Sequence, residues 1–242
     1  MIFMCFSSKD RYYTAQSISF HLQNFGLNVW YDYQQLHSGD DKLLLNFTLP
    51  FDQCQYAVVI VSDNLFNSPC AVDELDRITV LYDKNKLVVI PVFLNFPVKN
   101  LSDKYSWMNN LIYYELKNNE GTLMLSKVIT ARILNDRRKS LKFSSFENFL
   151  KAYSEPCFFR DIIEQYTKLD KNNLCARMTL LHSLSQYFFY EIDKKFEILQ
   201  YKKIITQMYT IHQLNLHKDF YELEIMENTV LLLLNLNLCD SV

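Results

Sequence analysis

Two uninterrupted apolar runs constrain this chain most: Tyr56-Ala57-Val58-Val59-Ile60-Val61 and Leu87-Val88-Val89-Ile90-Pro91-Val92-Phe93. A strand wetted on one side alternates apolar and polar residues. A strand covered on both sides reads as a continuous run, which favours a parallel sheet between helices. The segment between the two runs carries Glu74, Leu75, Ile78 and Leu81 at helical spacing, with Pro69 suited to its first turn. Strand, helix, strand with short connections predicts an α/β layer architecture.

The same alternation extends in both directions. Ile2-Phe3-Met4-Cys5-Phe6 is a short apolar strand. Asp10 is a candidate N-cap for a helix over 11–25, with Ile18, Leu22 and Phe25 on one stripe. Gly26 ends that helix, because a left-handed C-terminal position suits glycine. Residues 28–32 form the next strand and 41–51 a helix. Pro91 predicts that its strand leaves the ladder early. Residues 112–116 read as an edge strand and 120–139 as a closing helix. Beyond Arg137-Arg138-Lys139 only helical periodicity remains. Ser144 and Glu147 fit a capping box, and helices are expected over 145–153, 156–169, 172–197, 199–213 and 218–236. The aromatics Phe158, Phe159, Tyr187, Phe188, Phe189, Tyr190, Phe220 and Tyr221 read as core. The Phe188-Phe189-Tyr190 cluster spans several helix faces, so its helix is expected to sit centrally or at an interface. The expected division is 1–139 for the α/β part and 144–242 for an all-α region.

Composition excludes several classes. In 242 residues the net charge is −2 and neither half is charge-polarised, so neither nucleic acid nor an anionic membrane is an expected partner. Three glycines cannot build a dinucleotide-binding or Walker loop beside the turns they already serve. The six cysteines and five histidines show no zinc spacing, so no metal is expected. The apolar run at 230–234 is far shorter than the ~20 residues of a membrane span. The scattered thiols and the absence of a signal peptide predict a cytoplasmic protein.

Five pieces then occur in order: Met4-Cys5-Phe6-Ser7-Ser8-Lys9-Asp10; Gly26-Leu27-Asn28-Val29-Trp30-Tyr31-Asp32; Leu36-His37-Ser38-Gly39-Asp40; Ser62; and Ser68-Pro69-Cys70-Ala71-Val72-Asp73-Glu74-Leu75. Together they resemble the TIR (Toll/interleukin-1 receptor) domain, over about residues 1–139. The resemblance implies a flavodoxin-like parallel sheet, here followed by the all-α region. TIR domains include adaptors that only self-associate and enzymes that cleave NAD+ at the nicotinamide–ribose bond. In the enzymes one Glu on the helix after the third strand is essential, and Glu74 stands at that position. The favoured implication is an NAD+ nucleosidase: a glycohydrolase, or an ADP-ribosyl cyclase or transferase giving products such as cyclic ADP-ribose. Bacterial members of this kind, as in Thoeris systems, make a signalling nucleotide in antiphage defence, read by a nucleotide-sensing effector. The alternative is a non-enzymatic adaptor acting by TIR–TIR association. NAD+ is then a substrate, and no separate cofactor is implied.

Each site residue has a plain reading beside the functional one. Glu74 holds the ribose hydroxyls and stabilises an oxocarbenium-like transition state, or is a solvated carboxylate beside Asp73 and Asp76. Phe6 borders the nicotinamide or ribose, with Ser7 and Ser8 at the phosphates or ribose, or Phe6 is core and the serines cap a helix. Asp32 orients the following loop, or starts a turn; Trp30 is core. The loop 33–41 matches a family loop that gates the active site and helps subunits assemble, a role that apolar Leu36 and the bend-permitting Gly39 favour, or is an ordinary surface connection. Cys70 departs from the family, in which many active members carry a Trp that lines the base pocket; a thiol offers no comparable stacking face.

Overall fold

The computed structural model describes residues 1–32, 51, 53–117, 120–191, 196–214 and 219–239. The expected loop 33–41, with Leu36 and Gly39, and all but the last residue of the expected helix 41–51 lie outside them. The chain packs as two compact units, Met1–Gln23 with Leu27–Ser126, and Asn24–Gly26 with Lys127–Val242.

The first unit is a parallel sheet in the order β2-β1-β3-β4-β5, with β1 Ile2–Cys5, β2 Val29–Trp30, β3 Tyr56–Val61, β4 Val88–Leu94 and β5 Tyr114–Leu116. β1 pairs with β3 from Ile2↔Tyr56 to Cys5↔Val59 and with β2 through Ile2↔Val29 and Phe3↔Trp30. Side-chain parity sorts the sheet. Phe3, Cys5, Ala57, Val59, Val61, Val89 and Phe93 share one apolar cluster with Leu75 and Ile78, from the helix that follows β3. Ile2, Met4, Val58 and Ile60, on the opposite face, are equally buried. Both faces are therefore covered, which is why the runs at β3 and β4 lack alternation. Pro91 does not end its strand. β4 pairs with β3 from Val88 to Phe93, while its β5 partners begin only at Val92. The missing N–H thus falls where β4 has a single neighbour.

After β1 come a 3-10 turn, Ser8–Asp10, a π-helical turn, Arg11–Ala15, and α1, Gln16–Asn24. Gly26 closes α1 in the left-handed region at φ +77. A Cβ there would lie 2.7 Å from the Gln200 carbonyl oxygen, so only glycine fits. Beyond β3 lie α2 (Asp63–Phe66) and α3 (Pro69–Asp83), with Pro69 in the first turn as expected.

α4 (Thr122–Lys139) leads into α5 (Phe146–Ala152), α6 (Phe158–Lys168), α7 (Leu174–Glu191), α8 (Phe196–Leu214) and α9 (Phe220–Cys239). The cap of α5 is Ser145, whose hydroxyl accepts from Asn148 N–H at 3.1 Å, not Ser144; the neighbouring serine offers the same chemistry one residue later. The core of the second unit is organised by α9. Both α7 and α8 pack against it, and Leu223, Ile225, Met226 and residues 230–234 are buried. The expectation that all eight aromatics are core fails at Phe158, Tyr190 and Phe220, which are 58%, 89% and 63% exposed. Consecutive positions on a helix turn by ~100° each, so one packing face cannot cover Phe188, Phe189 and Tyr190 together. Two polar ties complete this core. Lys127 Nζ donates to Glu222 (2.8 Å) and Asp219 (2.9 Å). The Asn235 amide accepts from Phe143 N–H and donates to the Phe143 carbonyl, both at 2.9 Å.

Candidate active site at the strand-order reversal

The chain leaves β1 for β2 on one side and returns to β3 on the other. That reversal falls at the carboxyl ends of β1 and β3, the edge where open α/β sheets bind ligands. Three side-chain groups meet at this edge.

The first contains Glu74. One turn into α3, it is 8% exposed and takes a hydrogen bond from the thiol of Cys5, the last residue of β1. The same thiol also donates to the Ala71 carbonyl oxygen at 3.7 Å, so its one proton is shared between the two acceptors. Burial first, then the nearby charges of Glu74 and Cys70, push the Cys5 thiol far above its ordinary range. It therefore stays protonated and acts as a donor toward Glu74. Cys70 is half-buried on the same turn.

The second joins the loops after β1 and β3. Asp10 is buried, and each carboxylate oxygen accepts one bond: from Ser62 Oγ at 2.5 Å and from Asn64 Nδ2 at 2.7 Å. Ser62 in turn caps α2 by accepting from Leu65 N–H at 3.0 Å. Asp10 thus makes no capping bond to its own helix; two donors on the neighbouring loop compete successfully for its oxygens. Ser7 takes over the local cap, accepting from Lys9 N–H at 3.4 Å.

The third group is aromatic and ionic. Phe6 is buried and stacks on Tyr31 with ring centroids 5.5 Å apart. The Arg11 guanidinium lies 6.0 Å from the Phe6 centroid and pairs with Asp32 at 3.0 Å. Of the residues singled out from sequence, Glu74 and Cys70 come together, Phe6 and Asp32 meet through Arg11, Ser7 is buried and Ser8 is exposed. Sequence reasoning missed Cys5, Arg11 and the Asp10–Ser62–Asn64 tie. Only Cys5 carried a usable signal, its shared parity with Phe3 on the face that α3 covers. Among the described residues no cluster of three His, Cys, Asp or Glu is placed to hold a metal ion, and no helix is long and apolar enough to cross a membrane.

The family model described as TIR domain matches residues 2–124, just over half the chain. The chain belongs to the TIR domain family. Two curated relatives share part of this TIR domain. NAD(+) hydrolase TcpC of Escherichia coli O6:H1 is 31% identical over 106 residues, covering 43% of this chain and 34% of that protein. NAD(+) hydrolase TcpA of Theionarchaea archaeon (strain DG-70-1) is 27% identical over 92 residues, 38% of this chain and 28% of that protein. The match thus spans about a third of the length of these relatives.

The TIR domain's thiols supply a check on this geometry. Burial pushes Cys54 up to about 12, and Cys5 is raised in the same direction, whereas Cys175 is exposed. At pH 8, labelling of native protein with a disulfide reagent is expected to modify Cys175 at least ~10²-fold faster than Cys5 or Cys54, because the thiolate is the reactive form. Mass mapping of the labelled peptides reads this out. The folded value exceeds the unfolded one. Cys54 therefore contributes fully below pH ~9, and its contribution is lost as pH climbs toward about 12; Cys5 follows in the same direction.

Proposed function

We propose that the TIR domain cleaves NAD+ at the nicotinamide–ribose bond, with Glu74 as the catalytic carboxylate. The observation that carries this reading is the near-complete burial of Glu74 at the carboxyl edge of β1 and β3, beside a protonated Cys5 thiol. A solvated helix carboxylate would not be withdrawn from water and set beside a protonated thiol. The two relatives named NAD(+) hydrolases support the same chemistry.

In this reading the bond electron pair leaves with nicotinamide, which departs neutral from a cationic state and needs no general acid. Positive charge develops on the ribose ring, and the Glu74 carboxylate stabilises it at close range in a poorly hydrated site. Water adding at the anomeric carbon gives ADP-ribose and a proton. A purine nitrogen of the same molecule, or another acceptor, gives a cyclic or conjugated product. Phe6, Ser7, Ser8, Asp32 and Cys70 are the proposed substrate neighbours, with Leu36 on the gating loop. A signalling nucleotide passed to an effector in antiphage defence is the proposed use of the product.

Purified protein mixed with NAD+ tests this directly. Nicotinamide release is expected to rise faster than linearly with protein concentration, since self-association is part of the reading. No release at any protein concentration up to ~100 μM with NAD+ at ~1 mM, the upper end of ordinary KM values, overturns it. The adaptor alternative has its own supporting observation. Tyr12, Tyr13 and Phe20 are 64%, 80% and 60% exposed around a cleft of about 540 Å³ that Glu74 does not line. Self-association without nicotinamide release would favour it.

A further inference from the structure

The second unit holds a cleft of about 210 Å³ that plays no part in the chemistry assigned to Glu74. Three cations reach it from separate elements: Arg138 from the end of α4, Lys171 from the turn between α6 and α7, and Arg177 from the first turn of α7. Arg177 is fixed in advance. Its Nη2 donates to Glu227 Oε1 and to the Tyr166 hydroxyl, both at 2.7 Å, and its Nε donates to the same hydroxyl at 3.0 Å. The guanidinium lies over the Tyr166 ring, 4.6 Å from its centroid, and the Tyr166 hydroxyl donates to Glu227. Glu227 balances this one charge. Arg138 donates to Asn135 Oδ1 at 2.9 Å and, like Lys171, meets no carboxylate among the described residues. Glu147 also lines the cleft and forms no ion pair with either.

These features select a ligand class. A planar carboxylate is satisfied by one guanidinium fork, whereas Arg138 and Lys171, arriving from separate elements beside the already balanced Arg177, suit a tetrahedral anionic group, with Glu147 as the opposing charge in the lining. Phe146, Leu169 and Leu231 add an apolar wall for a small uncharged remainder. The volume falls below the ~300–1,000 Å³ of pockets that enclose drug-sized ligands, which excludes a dinucleotide. We propose that this cleft binds a compact phosphate monoester.

Calorimetric titration of the full chain with ribose 5-phosphate, at constant ionic strength, tests the proposal, with ribose as the uncharged control. Saturable binding of one equivalent is expected for the phosphate and none for ribose. Arg138→Gln combined with Lys171→Gln should weaken binding at least tenfold while the circular dichroism spectrum is unchanged. Should that pair disturb folding, Lys171→Gln alone, on an exposed turn, is expected to weaken binding at least threefold. No saturable heat up to ~10 mM, an affinity weaker than about −3 kcal/mol, overturns the proposal, as does equal affinity in the folded variants. Nicotinamide release is measured separately, so failure here leaves the Glu74 reading standing, and the reverse also holds.

Discussion

Glu74→Gln is expected to cut nicotinamide release by ~10²–10³-fold, the usual loss when one preorganised electrostatic contact to a transition state is removed. Gln keeps the size of the side chain and can still accept from the Cys5 thiol, so the melting temperature should change little. The loss should appear in kcat and kcat/KM together, because the carboxylate is assigned to the cationic transition state more than to ground-state binding. Asp73→Asn, one residue earlier and exposed, controls for the local charge and should retain activity. Wild-type rates in Glu74→Gln, or equal losses in both variants, would remove Glu74 from its proposed role.

Lys127→Met is expected to destabilise the second unit by ~3–5 kcal/mol, the range for breaking one side of a buried ion pair. The side chains of Lys127 and Glu222 are 5% and 0% exposed, so removing the lysine strands a carboxylate with no access to water. Burial works against the charge on Lys127, yet hydrogen bonds to Glu222 and Asp219 outweigh it and raise the ammonium above the ordinary lysine range. With the folded value above the unfolded one, this stabilisation is complete below pH ~10.4 and disappears as pH rises through the folded value. Urea unfolding monitored by far-UV circular dichroism measures the loss. The double variant Lys127→Met with Glu222→Leu should recover much of it, since an apolar pair of similar volume replaces a buried ion pair at little cost. A loss under 1 kcal/mol in the single variant would mean that the site is open to water.

Local signals carried much of this fold. β3 was legible to the residue because its apolar run is bounded by polar neighbours, and Gly26 and Pro69 announced helix ends through backbone constraints that belong to single residues. Glu74 was singled out through its motif, and its burial follows from lying on the face of α3 that meets the sheet. What stayed hidden depends on partners distant in sequence. Asp10 looks like a helix cap until Ser62 and Asn64, more than fifty positions away, claim its oxygens. Lys127 and Glu222 are separated by 95 positions and no periodicity relates them. The phosphate-sized cleft draws on five helices and a turn, none of which announces it alone. The identity of the organising helix was also illegible. The consecutive aromatics of α7 drew attention, while the aliphatic run of α9 supplied the centre.

The π-helical turn at Arg11–Ala15, closed by Gln16 N–H to the Arg11 carbonyl, holds one residue more than an α-turn would. It acts as a phase-setter. Ile18 and Leu22 downstream keep their buried stripe, while Asp10 and Arg11 upstream aim at two different neighbouring loops. Losing a single residue here would wind the segment down to an ordinary turn and swing everything before it by ~100°. One deletion, touching no side chain discussed above, would uncouple the loop after β1 from the loop after β3 and leave that edge of the sheet without its latch.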